Sequence, residues 1–490
     1  MRRKITGVFS LIFVFALGLG AWGCKTDDSK TLVLWGAMSL HPNYKTALKI
    51  DKDNPAGLMA KYVIETFMER NPGYKVRVED KGWGDTLNEN VVMGASSGIK
   101  PDILGTEVYT QLYIDMDYLA PLNFPDETKA DIIADTTVGS TKGGNLYAAP
   151  IFTNVFAFLY NEDILKEAGC PTKYNPAAGS LEVIPPATFA ELLYCADKVN
   201  AYYNTTQQSD RNSYGAWIIN NVPGVGGAFR GQLYMRLAGG DFMKPEAAGT
   251  LLTASDIKID TDENELAYGM MKKLYTYAPY DSYAILSEMS VYQKLVTGQV
   301  AMTFEHPSCL LYPAALQRDI RTAPMPVFTE GDNFTPFAYT AAVRDPAVKK
   351  PSSNILCGNV SYGVVKGTPK TEIAMDFINI MMSPEAQELR FKLDLRLPVT
   401  KGGMERVEKS TDAAVVKYHT IMEPSFTAVK DTYREINPVH IPGGPPCFIK
   451  NSAQIWTQYQ VLTTAVLKNQ TADVRGALTA FDGAVKQRLA

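Results

Sequence analysis

Strand-like patches and helix-length amphipathic patches alternate along this 490-residue chain, and no other feature narrows its fold as much. Thr31 to Trp35 is a short apolar run that reads as a buried strand. Leu58, Met59, Tyr62, Val63, Phe67 and Met68 then recur at helical spacing, and Asn71-Pro72-Gly73 stops that helix. Lys75 to Glu79 alternates, with Val76 and Val78 on one face, as a strand does. Thr86 to Val92 returns to helix and Pro101 to Leu104 to strand. Strands separated by helices need crossovers, so the expected class is α/β with mostly parallel sheets flanked by helices.

The pattern restarts after Pro150. Phe156 to Tyr160 reads as a strand, and Asn161 caps a helix that ends at Gly169. Thr188-Phe189-Ala190-Glu191 spells a capping box. Val291 to Thr297 is a helix closed by Gly298, Val300 to Phe304 and Tyr362 to Lys366 are strands, and Thr371 to Met382 is a helix. The last two helices are expected over about 453–468 and 473–489. Single cores stop growing near about 250–300 residues, so the length calls for two domains. In open sheets of this kind ligands sit beyond the carboxyl ends of strands. The places to look are therefore just after Trp35, Leu104 and Phe304, and around 356–366.

The N-terminus is a targeting segment. Arg2, Arg3 and Lys4 precede an apolar run from Val8 to Leu19, too short for a stable membrane span, so residues 1–23 read as an export signal. Cys24 after Gly23 resembles a bacterial lipoprotein signal, which implies acylation at Cys24, a polar tether to residue 30 and a chain held on the outer side of the cell membrane. Of the other five cysteines, Cys170, Cys195, Cys309, Cys357 and Cys447, the spacings match neither a zinc site nor a redox pair, and disulfide pairing stays open. A net charge of -4 gives no basic field for nucleic acid.

Several catalytic spellings fail on context. Gly94-Ala95-Ser96-Ser97-Gly98 has the letters of a nucleophile elbow, but a helix precedes it and a strand follows, so it is expected as a loop. Asp260-Thr261-Asp262-Glu263-Asn264 begins like a calcium loop, yet Glu265 stands where glycine is needed and Met271 replaces the closing glutamate. Gly224 to Gly231 is glycine-rich but lacks Gly-Lys-Ser/Thr. His41, His306, His419 and His440 are too dispersed for a local metal motif, and no cofactor is expected.

Taken in order, a set of short segments resembles the extracellular solute-binding proteins of ABC importers, in the maltose-binding-protein-like sugar family. They are Phe67 through Asn71-Pro72-Gly73-Tyr74-Lys75-Val76, Pro101-Asp102-Ile103, Leu146 to Pro150, Tyr160 to Gly169, Pro185 to Leu192, Gly298 to Met302, Ala374 to Ile378 and Ser383 to Gln387. The resemblance implies two α/β lobes with a ligand cleft between them, crossed by strands near 151–156, 356–360 and 438–446. Lobe one would be 31–152 plus 360–436, and lobe two 156–356 plus 440–490. It implies a binding protein, not an enzyme, acting as a monomer that passes a small polar solute, foremost an oligosaccharide or other sugar, to a membrane permease. An exported carbohydrate-active enzyme using Glu107 and Glu305, or a sensor subunit, are the alternatives.

A sugar cleft needs aromatic faces and forked polar groups. Trp35 ends a strand, Trp83 lies between Gly82 and Gly84, and Trp217 follows Tyr214-Gly215-Ala216, whereas Trp456 on a late apolar helix reads as core. Glu107 and Tyr109 follow a strand where the resemblance implies an acidic contact. Glu305-His306 stands where relatives often carry a glycine and a tryptophan, and a carboxylate beside an imidazole would instead hold hydroxyls or an amine. Asn154 and Gly358-Asn359 fall in two predicted crossings, and Arg396 resembles a position at the cleft rim.

Overall fold

The computed structural model describes residues 28–36, 40–106, 109–205, 213–219, 225–242, 253–280, 282, 288–312, 318–328, 357–434 and 452–490. In chain order its strands are β1 (Thr31–Trp35), β2 (Lys75–Glu79), β3 (Ile103–Gly105), the short pair β4 (Thr141–Lys142) and β5 (Asn145–Leu146), β6 (Ala148–Val155), β7 (Ala157–Asn161), the pair β8 (Thr172–Asn175) and β9 (Ser180–Val183), β10 (Gly215–Ile218), β11 (Val300–Glu305), β12 (Ile320–Ala323) and β13 (Cys357–Val364). Two main sheets result, one with the order β2-β1-β3-β13-β6 and one with the order β10-β11-β7-β12.

In the first sheet β2, β1 and β3 are parallel, β13 runs against β3, and β6 runs against β13. Four of its five strands thus share a direction, and β13 is the reversed one. The second sheet repeats the arrangement with β7 reversed among β10, β11 and β12. Each sheet is therefore mixed and not mostly parallel as expected, because one reversed strand, β13 or β7, pairs antiparallel on both of its sides.

The apolar runs explain why these strands are inside. Leu32, Leu34, Ile103, Phe152 and Tyr362 of the first sheet meet Phe67 and Phe377 from the helices Pro55–Arg70 and Thr371–Met382. Phe158, Trp217, Met302 and Phe304 of the second meet Phe189 and Leu193 from the helix Phe189–Thr205. The helices after Ser383 touch both lobes. Gln387 Nε2 donates to the Ile151 carbonyl of β6 at 2.6 Å. Phe391, Leu397 and Phe426 belong to the apolar cluster of the second sheet, and Thr322 Oγ1 of β12 donates to the Ile421 carbonyl at 2.5 Å.

The two sheets are joined almost without slack. β6 ends at Val155 and β7 begins at Ala157, so Phe156 alone separates them. The β3–β13 pairing ends at Gly105 and Tyr362, while β6 and β13 stay paired out to Val155 and Cys357. Residues 152–155 and 357–360 therefore form a two-stranded ribbon that leaves the first sheet for the second. The crossings read near 151–156 and 356–360 coincide with this ribbon, and the one read near 438–446 lies outside the described residues, as do the export signal and Cys24.

Local differences from the sequence reading have simple causes. The Gly94–Gly98 stretch is no loop, because the helix Asp85–Ser97 runs through it and stops at left-handed Gly98, φ +75°. Ser96 and Ser97 are exposed, and their hydroxyls donate back to the carbonyls of Val92, Met93 and Gly94 of their own helix. Gly94 is needed inside that helix because a Cβ would lie 2.6 Å from the Trp35 ring. In the helix Pro55–Arg70, Met68 falls outside the buried face. Thr188 Oγ1 accepts from Glu191 N as a cap should, but Glu191 reaches back to Ala187 N instead of closing the box. Asp262 and Glu265 pair with Arg475, and the glycine-rich run lies mostly in the helix Val225–Leu237. Among the described residues no helix is long and apolar enough to cross a membrane.

Candidate functional site

At the ends of β1 and β3, Gly36 and Gly105 bring backbone against backbone. Gly36 has φ +88°, and a Cβ on it would sit 3.1 Å from the Gly105 Cα, so a side chain would be both strained and crowded. The Tyr362 hydroxyl donates to the Gly36 carbonyl at 2.9 Å, and the Thr106 and Thr110 hydroxyls lie 2.6 Å apart. These contacts fix the strand ends where a cleft ligand would meet them.

The second lobe answers with a buried ion pair. Glu305 closes β11 with no exposure, and Arg230 grips it from the helix Val225–Leu237, Nε to Oε2 at 2.7 Å and Nη2 to Oε1 at 2.8 Å. His306 follows, its Nδ1 2.8 Å from the Val155 carbonyl and its ring stacked on Phe156 at 4.4 Å. The Arg230 guanidinium lies 5.5 Å from the same Phe156 ring. Glu305 and His306 therefore do not face outward to hold hydroxyls; they brace Phe156, the one residue between β6 and β7. A carboxylate so buried requires a cation, and Arg230 arrives from 75 positions away, beyond the reach of any local motif.

The tryptophans separate by exposure. Trp83 is 43% exposed between Gly82 at φ +84° and Gly84 at φ +56°. Trp217 is fully buried, stacked on Phe158 and edge-on to Phe304, so it is core and not a stacking platform. Trp35 is likewise core, packed against Leu87, Val91 and Leu104. Its Nε1 donates to Glu79 at 3.0 Å and Lys81 Nζ covers its ring at 4.9 Å. Burial pushes the Glu79 carboxyl upward, but its bonds to Lys81 and Arg77 outweigh that and hold it below the usual carboxylate range. Tyr109 is buried beside Tyr113. Glu107 lies outside the described residues, as does the Trp456 side chain.

The ribbon itself carries the polar candidates. Asn359 Nδ2 donates to the Thr136 carbonyl at 2.9 Å, while the Oδ1 atoms of Asn154 and Asn359 are buried with no hydrogen-bond partner. The half-buried Arg396 places its guanidinium 5.7 Å from the Phe152 ring. Sequence reasoning missed the neighbour that matters most. Arg390, in the helix Pro384–Asp394, is 2% exposed, with its guanidinium 4.7 Å from that same Phe152 ring. Nη1 donates to Asp394 at 2.9 Å, but Nε and Nη2 have no partner. Burial pulls the Arg390 pKa down and Arg396 adds to that, against the opposing pull of Asp394 and Tyr362. The available signal was a cation on the buried face set by Ala386, Gln387 and Phe391.

Residues 62–416 match the family model of the bacterial extracellular solute-binding proteins. The chain belongs to that family. No curated protein matches this solute-binding protein by sequence. Among solved structures it is similar to the GacH receptor of Streptomyces glaucescens, solved unliganded and with acarbose, at 16% identity and TM-score 0.63, covering 94% of this chain and 98% of that one. It is also similar to an ABC-transporter solute-binding protein of Thermotoga lettingae bound with α-D-tagatose, at 20% identity and TM-score 0.64, covering 94% and 100%. A third is the cyclic α-maltosyl-1,6-maltose binding protein of Arthrobacter globiformis, at 18% identity and TM-score 0.64, covering 94% and 98%. These likenesses establish the two-lobed fold of this solute-binding protein.

Proposed function

We propose that this solute-binding protein is the capture subunit of an ABC importer, taking a sugar or oligosaccharide between its lobes and delivering it to a membrane permease. In this reading the chain is exported by residues 1–23, lipid-anchored through Cys24 and works as a monomer. The lobes are 31–152 plus 360–436 and 156–356 plus 440–490. The observation that carries the reading is the ribbon with its one-residue crossing at Phe156, which brings the carboxyl ends of two sheets to a common junction. The sugars bound by the similar structures lend the ligand class its support.

The mechanism needs no covalent chemistry. A solute that touches both lobes only when they are shut binds that state better, and so shifts the population toward it. Trp83, with its exposed ring, offers the apolar platform, and Asn154, Asn359 and Arg396 on and beside the ribbon offer polar contacts. Glu305 is occupied by Arg230 and by the His306 amide, so it is not a carboxylate standing ready for acid–base work.

Thermal-shift screening of the mature chain against a solute panel tests the assignment. A sugar at 100 times its dissociation constant should add about 2.7 kcal/mol of stability. A panel in which only a non-carbohydrate class raises Tm overturns the sugar reading. With the responding sugar, Trp83→Ala should weaken binding at least about tenfold, roughly 1.4 kcal/mol, at unchanged Tm because the ring is exposed in the unliganded fold. Unchanged titration calorimetry for that variant would remove Trp83 from the site.

A further inference from the structure

Two guanidinium groups and a single carboxylate meet at the base of the ribbon. Arg390 and Arg396 both lie over Phe152, at 4.7 and 5.7 Å. Asp394 pairs with Arg390 Nη1 and accepts only the backbone N–H of Arg396, at 3.3 Å. Arg390 is 2% exposed, yet Nε and Nη2 are orphaned. Buried donors are almost always paired in native proteins, and a buried cation carries the heaviest penalty when they are not. On the same strand, Phe152 and Asn154 are two residues apart and so share a face. The Asn154 Oδ1 is a buried acceptor with no donor. Leu397 fixes the arrangement by exchanging two 3.1 Å backbone bonds with Thr153, along the outer edge of β6.

The unmet demands are of two kinds on one patch: cationic donors that want an anionic oxygen, and an amide oxygen that wants a hydroxyl. A sugar acid meets both at once, its carboxylate oxygens accepting from guanidinium with the full charge that neutral hydroxyl oxygens lack, and its hydroxyl donating to the amide oxygen. We propose that the captured solute is a sugar acid whose carboxylate is held by Arg390 and Arg396, while an adjacent hydroxyl donates to Asn154. The inference rests on the sugar-binding reading above and narrows it. Guanidinium suits this task because its fixed fork matches a carboxylate.

Titration calorimetry of the mature chain with galacturonate, glucuronate and mannuronate, their methyl esters and succinate tests it. At least one uronate should bind about 10- to 100-fold more tightly than its methyl ester, the span of charge-assisted hydrogen bonds. Arg396→Gln, at a half-buried residue, should erase most of that preference without lowering Tm. Arg390→Met should do the same wherever it folds. If the methyl esters bind as well as the acids, and Arg396→Gln changes nothing, the inference falls while the sugar reading stands. Binding of succinate in place of every sugar acid, sensitive to Arg396→Gln, keeps the arginine site and overturns the sugar reading. Silence from the whole panel overturns the inference, and the sugar reading then stands or falls on the thermal-shift screen above.

Discussion

Glu305→Ala should lower the unfolding free energy by about 3–5 kcal/mol, because it leaves the Arg230 guanidinium buried without its counter-charge. Urea denaturation should show the loss as a lower midpoint with an unchanged slope. Two partner variants sharpen the test. Glu305→Gln keeps an acceptor for Arg230 and should cost less than the alanine. The double replacement of Arg230 and Glu305 by apolar residues of similar volume should recover much of the loss, since no lone charge remains. The loss should also reach the joint, as Glu305 accepts the His306 amide at 3.0 Å and His306 rests on Phe156. A Glu305→Ala protein within about 0.5 kcal/mol of the parent, the range of ordinary surface changes, would mean that the pair does not hold the crossing.

Trp217→Ala should be comparably severe, about 3–5 kcal/mol, for a different reason. Its fully buried ring packs on Phe158 at 6.3 Å and edge-on to Phe304 at 4.8 Å, and Phe304 in turn lies edge-on to Phe189 of the helix Phe189–Thr205. Removing the indole opens a cavity that this aromatic cluster fills only in part. Calorimetric melting should show the loss, while binding measured well below the variant's own Tm stays close to parental. The opposite pattern, a stable protein that has lost its solute, would put Trp217 in the cleft after all. Set beside Trp83→Ala, the experiment separates a tryptophan that supports the lobe from one proposed to meet the solute.

Local signals carried far in this chain. Thr31–Trp35 was legible as a strand because it is a short apolar run, Lys75–Glu79 because its apolar residues alternate, and the helix between them because its stop is spelled by Asn71-Pro72-Gly73. Asn161 caps its helix by accepting from Ile164 N, as its position implies. The β8–β9 hairpin was missed, since Lys173, Tyr174, Ser180 and Leu181 are exposed and leave no alternation to read. The site was less legible than the fold for a single reason: its decisive contacts are remote in sequence. Arg390 meets Phe152, Arg230 meets Glu305 and Asn359 meets Thr136 across 223 positions. A serine pair spelled like a nucleophile spends its hydroxyls on its own helix, and tryptophans that looked alike by neighbours differ entirely by burial.

The shortness of the link at Phe156 has a mechanical meaning. One residue offers two soft torsions, and here its ring is clasped by an imidazole while the carbonyl before it is bonded to that same imidazole. Such a pivot turns but does not stretch. The span between the shut halves is then set by the chain and not by its cargo, so a longer molecule should project from the mouth instead of wedging the halves farther apart.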